Sequence, residues 1–302
     1  LRNVGGCFAF LKCSLQSLFI LFEFRPDIVV GFGTLASVPM VFFAWLFRMK
    51  IIIHEQNVIP GKANRLMVKL ADKIAISFPK TTEFLRREGK KIVLTGNPLR
   101  QELKPLNKKA ALDFFRLKEG RFTILVTGGS QGSHNINMAF FKTVVAMPDK
   151  NKLQVIHLSG AGDYAMLKES YQDCGLDVRI MDFFQQMQYA YSASDLAICR
   201  SGAATISELV NFRLPAIIIP YPFAHRHQLA NSALLSDAGS AIVLEEEELS
   251  VKSLGDILMK LMNNPGELSR MSCAYDKFSS HLKAASSLSD TALSLIGVRG
   301  PD

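Results

Sequence analysis

Short runs of β-branched and aliphatic residues alternate along the chain with longer stretches in which apolar positions recur every three or four residues. That alternation is the pattern of βα units building a parallel sheet. In the first third of the chain strands are expected at residues 27–30, 51–53, 73–76 and 92–94, with helices between them, one of them over 63–70. The pattern breaks at Gly96-Asn97-Pro98, and Pro98 and Pro105 bracket a polar connector. Proline lacks the backbone donor and fixes φ, so such a segment punctuates the fold. A helix starts afresh over 107–117, and a second βα series follows with strands at 122–127, 153–158, 178–180, 196–198, 216–219 and 241–243. Two or three helices close the chain from residue 251. The expected fold class is α/β, with two doubly wound, Rossmann-like domains in series. The domains are expected at 1–98 and 99–285, with a C-terminal helix or tail at 286–302 that packs back on the first domain.

Two apolar stretches, 15–22 and 35–47, fall short of the ~20 residues that a membrane-spanning helix needs. Glu23, Arg25 and Asp27 stop the first, and Arg48 and Lys50 stop the second. Both read as core helices, one of them touching a membrane surface. The opening residues carry no charged region or cleavage signal of a secretory leader.

Composition narrows the partners. A chain of 302 residues that is 48% hydrophobic can fill two ordinary cores, and 21% charged residues argue against disorder. A net charge of +8 attracts anions, whether nucleotides, nucleic acid or an acidic membrane leaflet. No basic stripe with interleaved aromatics is present, so no nucleic acid is expected as a partner. Five scattered cysteines without a C-x-x-C pair read as thiols in a reducing compartment, and no histidine–cysteine spacing suggests a metal. His225 and His227, and the acidic run from Glu245 to Glu248, read as solvated loops.

Candidate chemistry sits in the loops after the strands. Gly128-Gly129-Ser130-Gln131-Gly132-Ser133 follows an apolar strand and opens a helix. Glycines there let backbone N–H groups approach a phosphate, and the helix N-terminus favours negative charge. A tight strand-to-helix turn is the alternative reading. The segment is neither a Walker loop nor a G-x-G-x-x-G fingerprint. Gly31-Phe32-Gly33-Thr34 reads more readily as a structural turn. In Arg200-Ser201-Gly202-Ala203-Ala204-Thr205-Ile206-Ser207-Glu208, Ser201 is placed to cap a helix beginning near Ala203. Thr205 and Glu208 then share a helix face, where a carboxylate can take ribose hydroxyls or steady the helix. Gln228 and Asn231 share a face of the next helix, where amides suit sugar hydroxyls unless the face is simply exposed. His54-Glu55-Gln56-Asn57 ends a buried strand; the His-Glu pair suits acid–base work or a structural role.

Taken in order, six segments resemble the MurG family of glycosyltransferases. They are Gly31-Phe32-Gly33, His54-Glu55-Gln56-Asn57 continuing to Pro60-Gly61, Thr95-Gly96-Asn97-Pro98 with Arg100, Gly128 to Gly132, Arg200 to Glu208, and Gln228 with Asn231. The resemblance implies a GT-B fold, two domains facing a cleft, with the acceptor on the first and the donor on the second. It implies inverting transfer of N-acetylglucosamine from UDP-GlcNAc to the C4 hydroxyl of undecaprenyl-linked lipid I, giving lipid II in peptidoglycan synthesis. No cofactor beyond the donor UDP-GlcNAc is implied. The implied place is the cytoplasmic face of the inner membrane, bound peripherally to an anionic surface, with cell-wall and division proteins as partners.

Residue by residue, the resemblance gives Asn57, Arg100 and Ser130 as donor contacts and Phe184 as the position whose backbone reads uracil. Ala203, Ala204 and Thr205 would line the diphosphate and sugar, with Ile206 and Ser207 in the same segment. Glu208 would take the ribose and Gln228 the sugar hydroxyls, beside a phosphate loop of Gly128, Gly129, Gln131 and Gly132. His54 or Glu55 is the nominated base. Two departures stand out. The family opens with a strand and a glycine loop that precede the segment where this chain begins, which predicts a first domain truncated at its N-terminus with an unpaired sheet edge. The Gly31 loop also carries Thr34-Leu35 where the family tends to have Gly-Tyr. The alternatives are another UDP-sugar:lipid transferase, a UDP-N-acetylglucosamine 2-epimerase, and a catalytically incomplete UDP-sugar-binding protein.

Overall fold

The computed structural model describes residues 2–224 and 226–298, with the backbone alone at 2–8 and 279–283. His225, expected in a loop, and the end of the expected tail at 299–302 lie outside the described residues. The chain divides into two compact units, one of residues 1–98 with 280–302, the other of residues 99–279.

In the first unit α1 (Arg2–Phe24), β1 (Ile28–Gly31), α2 (Ser37–Leu46), β2 (Lys50–Glu55), α3 (Lys62–Met67), β3 (Lys73–Ile76) and β4 (Ile92–Leu94) follow one another. The four strands are parallel and lie in chain order, with β1 at one edge. Strand β2 is buried from Ile51 to Glu55, which explains its unbroken isoleucine run. Its Ile51 and Ile53 pack with Val29, Ile74 and Ile76 against Val41 and Ala44 of α2 and Met67 of α3. Helix α1 takes in the apolar run 15–22 and continues on both sides of it. From residue 9 onward it buries only Ser17 and Leu21, and it lies along α2. Among the described residues no helix is long and apolar enough to cross a membrane.

The second unit runs through α4 (Lys108–Phe114), β5 (Phe122–Thr127), α5 (His134–Ala146), β6 (Leu153–Leu158), α6 (Ala161–Ser170), β7 (Asp177–Met181), α7 (Met187–Ala193), β8 (Leu196–Cys199), α8 (Ala203–Phe212), β9 (Ala216–Ile218), α9 (His227–Ala238), β10 (Ala241–Val243), α10 (Val251–Met262) and α11 (Pro265–Cys273). The closing helix α12 (Ala284–Leu295) belongs to the first unit. The six parallel strands are ordered β10-β9-β8-β5-β6-β7. The chain builds outward from β5 through β7, then returns to the other side of β5 with β8. That reversal puts a crevice outside the carboxyl ends of β5 and β8, where open α/β sheets bind ligands.

Local signals agree with this layout. Asn107 caps α4 by accepting from the N–H groups of Lys109 and Ala110. Ser250 and Ser253 form a reciprocal cap on α10, whose Leu254, Leu258 and Leu261 recur at helical spacing and are fully buried. Each such leucine contributes roughly 1.5–3 kcal/mol by leaving water. All five described non-glycine residues with positive φ are arginines: Arg25, Arg48, Arg116, Arg213 and Arg226. Arg213 ends α8 at φ 52°, a position that glycine fills at no steric cost.

Candidate active site

The glycine loop after β5 is held by backbone packed on backbone. A Cβ on Gly132 would lie 2.0 Å from the Ser159 carbonyl oxygen, and one on Gly160 would lie 2.4 Å from that of Gln131. A Cβ on Gly128 would meet the Ser133 nitrogen at 2.3 Å. Gly129 and Gly132 also have φ of 93° and 75°. Only glycine fits these places, so the loop is locked against the β6–α6 turn and delivers the chain to the N-terminus of α5. Two short bonds tighten it, from the Gly129 N–H to Thr127 Oγ1 at 3.3 Å and from the Gly132 N–H to the Gly129 carbonyl at 2.9 Å.

Beside the loop lies a cavity of about 540 Å³, lined by Gly128, Gly129, Gln131 and Gly132 together with Ser133, His134, Arg200, Gly202, Thr205, Tyr221 and Gln228. Ser130 stands at the exposed tip of the loop, outside that lining. Arg200 forms the floor. The residue is 8% exposed, and its guanidinium donates to the carbonyls of Ile219 and Pro220, each at 3.1 Å, and to Ser133 Oγ at 2.7 Å. The Tyr221 ring covers it at 5.3 Å, and Glu246 pairs with it. Glu246 also accepts from the Asn135 side chain. The acidic run is therefore not uniformly a solvated loop: Glu246 turns in to neutralise Arg200, while Glu245, Glu247 and Glu248 stay exposed.

The N-terminus of α8 forms another wall. Gly202, not Ser201, is its N-cap residue, and it has no side-chain cap bond. Ser201 is instead held by Gln228, whose Oε1 accepts from the N–H groups of Ser201 at 3.3 Å and Tyr221 at 2.9 Å. Asn231 does not sit on an exposed face; it is fully buried and donates to the Ser201 carbonyl at 3.1 Å. Thr205 lines the cavity, Ala203 is half-buried and Ala204 is exposed. Ile206 belongs to the core, and Ser207 bonds back to the Ala203 carbonyl at 2.9 Å.

One turn further along α8, Glu208 Oε2 accepts from the Tyr191 hydroxyl at 2.7 Å. Burial raises the Glu208 carboxyl above its ordinary range, opposed by the Tyr191 hydrogen bond and the Arg100 charge. Arg100 donates to the Gln185 carbonyl at 3.1 Å, and the Phe184 ring packs on Phe114 and Phe115. The segment carrying Phe184 is thus tied at both its backbone and its side chain.

A polar chain runs from the start of α5, at another wall of the cavity, into the core. His134 Nδ1 bonds Asp163 at 2.9 Å, Asp163 accepts from Asn137 at 2.7 Å, Asn137 meets His157 at 3.0 Å, and His157 meets the Tyr171 hydroxyl at 2.9 Å. Burial pushes His157 down to about 3, so it is neutral. Burial would raise Asp163, but hydrogen bonds from His134 and Asn137 outweigh it and hold the carboxylate below its ordinary value.

In the first unit, His54 and Glu55 end β2 and are 0% and 1% exposed. The Glu55 carboxylate is saturated: Oε1 accepts from the Asn57 N–H at 2.9 Å and side chain at 3.3 Å, and Oε2 from the Gly61 N–H at 3.0 Å and Asn64 at 2.7 Å. His54 Nε2 donates to the Gly96 carbonyl at 3.0 Å, so Nδ1 accepts from Gln56 at 3.2 Å. The Phe32 ring lies over the imidazole at 5.4 Å. Burial lowers His54, partly offset by the Gly96 bond and the Glu55 charge. Neither side chain of the nominated pair reaches solvent, and Asn57 joins them in framing the turn.

Among the described residues no group of three His, Cys, Asp or Glu side chains is placed to hold a metal ion. The sequence motifs contained Arg200 without giving it a role, and they passed over Tyr191, Asn135 and Glu246. Arg200, Glu246 and Asn135 are joined to one another, and Tyr191 to Glu208, by contacts between separate segments, which leave no local pattern.

Residues 2–76 match the glycosyltransferase family 28 N-terminal domain and residues 123–288 its C-terminal domain. The UDP-N-acetylglucosamine–N-acetylmuramyl-(pentapeptide) pyrophosphoryl-undecaprenol N-acetylglucosamine transferase of Thermodesulfovibrio yellowstonii is 38% identical over 270 residues, covering 87% of this chain and 73% of that protein. The enzyme of that name from Desulfotalea psychrophila is 38% identical over 260 residues, covering 85% and 69%. The crystal structure of Acinetobacter baumannii MurG superposes with a TM-score of 0.73 at 26% identity, over 96% of this chain and 80% of that one. A UDP-GlcNAc 2-epimerase from Neisseria meningitidis, bound to UDP-GlcNAc, shares the fold with a TM-score of 0.70 at 15% identity, over 94% and 81%. With both domains matched in order on a GT-B fold, the chain belongs to glycosyltransferase family 28 and is a glycosyltransferase of the MurG type.

Proposed function

We propose that the chain transfers N-acetylglucosamine from UDP-GlcNAc to the C4 hydroxyl of lipid I with inversion, giving lipid II. The observation that carries the proposal is the cavity of the second unit, walled by a locked glycine loop and the N-termini of α5 and α8. Departure of UDP places negative charge on the diphosphate as the glycosidic bond breaks. Each helix N-terminus favours such charge by roughly 0.3–1 kcal/mol, and more in a partly buried setting. Arg200 is neutralised by Glu246, so it holds the walls together rather than offering a net charge to the ligand. Gln228 and Thr205 supply the sugar-facing polar groups, and Glu208 the acceptor for ribose.

His54, Glu55 and Asn57 support the acceptor side as a frame. Their hydrogen bonds fix the turn after β2 and occupy both ring nitrogens of His54 and both carboxylate oxygens of Glu55. The first unit also carries an apolar face. Phe10, Phe42, Trp45 and Leu66 are 45–62% exposed, and an almost wholly apolar groove of about 500 Å³ runs between α1, α2 and α3. With Lys69 at the groove and a net charge of +8, this face supports peripheral attachment to an anionic bilayer.

The test is transfer of radiolabel from UDP-GlcNAc to lipid I in vesicles containing an anionic phospholipid. Labelled lipid II is the expected product. Bound UDP-GlcNAc without transfer to lipid I, or transfer to diacylglycerol instead, would sink the assignment.

A further inference from the structure

Tyr191 lies on α7, outside every motif that carries the family resemblance. It is 3% exposed, its ring stacks on Phe212 at 5.0 Å, and its hydroxyl ends 2.7 Å from Glu208 Oε2. The ring is thus fixed from the side and its one polar atom is aimed at one carboxylate oxygen. Glu208 Oε1 takes no bond from Tyr191. A carboxylate on an exposed helix turn would sample several rotamers, and ordering it costs free energy when ligand binds. Here a buried, immobile donor sets the rotamer before any ligand arrives.

We infer that Tyr191 is a positioning residue for nucleotide specificity: by holding Oε2 it presents Oε1 of Glu208 alone to the vicinal hydroxyls of a ribonucleotide. This rests on Glu208 being the ribose acceptor. Two supporting features follow from the surroundings. Burial pushes the Tyr191 phenol well above its ordinary range, so it stays a donor. Burial raises the Glu208 carboxyl, and the same hydrogen bond, with the Arg100 charge, opposes that rise. The groups facing Glu208 from neighbouring elements are Tyr191 of α7, Cys199 of β8, whose thiol burial pushes up to about 12, and Arg100.

The test compares binding of UDP with binding of 2′-deoxy-UDP and 3′-deoxy-UDP by calorimetry, on the unmodified chain, Tyr191→Phe and Glu208→Ala. The larger UDP/deoxy affinity ratio is the readout, and the folded fraction cancels from it. The unmodified chain should prefer UDP by roughly ten- to a hundredfold, the range of a hydrogen bond to a charged group. Tyr191→Phe should reduce that preference severalfold, and Glu208→Ala should abolish it. A preference kept in Tyr191→Phe but lost in Glu208→Ala overturns the positioning role and leaves the ribose reading intact. A preference kept in Glu208→Ala overturns the ribose reading and the inference with it. If Tyr191→Phe alone does not fold, the double variant with Glu208→Ala, which also removes the buried carboxylate, is compared with Glu208→Ala. Equal UDP affinities support action through Glu208, and a further severalfold loss overturns it.

Discussion

Glu55 and Glu208 each stand in a polar motif after a buried strand, yet they are built in opposite ways. Glu55 ends β2 with both oxygens saturated by four donors, three of them from the turn it closes. Glu208 has one oxygen held by Tyr191 and sits at an edge where burial works against its charge. The first arrangement spends the carboxylate on the fold; the second leaves acceptor capacity for a ligand. On the proposed reading of Glu208 as the ribose acceptor, saturation, rather than residue type or position in a motif, is what sets Glu55 apart from it.

The largest effect should come from Glu55→Ala. It leaves two N–H groups and two amides without their buried acceptor, so stability should fall by about 5 kcal/mol in urea unfolding. A loss under about 1 kcal/mol would erase the contrast with Glu208. Acid comes next. His157 is neutral in the folded protein, pushed down to about 3 from an ordinary 6.5. Between those values the unfolded chain binds more protons, so stability is full above about pH 6.5 and declines towards pH 3. The decline reaches about 4–5 kcal/mol, and burial of His54 adds in the same direction. A flat stability profile over that window would show that the core network takes up a proton without cost. A smaller effect has the opposite sign. Arg213→Gly removes a left-handed strain from the end of α8 and should add about 1 kcal/mol, raising Tm by about 2 °C. Its ion pair with Asp276 is exposed and subtracts little. UDP affinity should not change, because the cap lies a turn beyond Glu208. The smallest effect expected is on stability in Glu208→Ala, where the cost of leaving the Tyr191 hydroxyl without its acceptor is set against the burial cost of the carboxylate that is removed, for a net change within about 1 kcal/mol. A loss as large as that of Glu55→Ala would make Glu208 a second framing residue.

The ten strands were legible because each is a short β-branched run between turn signals, and buried parallel strands have few other ways to be written. The glycine loop was legible for the same local reason. The roles of Glu246, Asn231 and Tyr191 were not legible. Each depends on a partner 17 to 111 residues away, such as Arg200, Asn135, Ser201 or Glu208. Local periodicity carries no record of such pairs. The misread cap has a simpler cause: Gly202 takes the N-cap position, and the Ser201 hydroxyl turns to Gln228 Oε1 at 3.4 Å instead of accepting from the first turn of α8.

The interlock of Gly132 with Ser159 and of Gly160 with Gln131 has a kinetic consequence. With no room for even one carbon between the two backbones, the loop and the β6–α6 turn move as one body. Nucleotide should therefore meet a finished anion cradle, and its association should be a single bimolecular step whose observed rate climbs linearly with UDP concentration and never reaches a plateau.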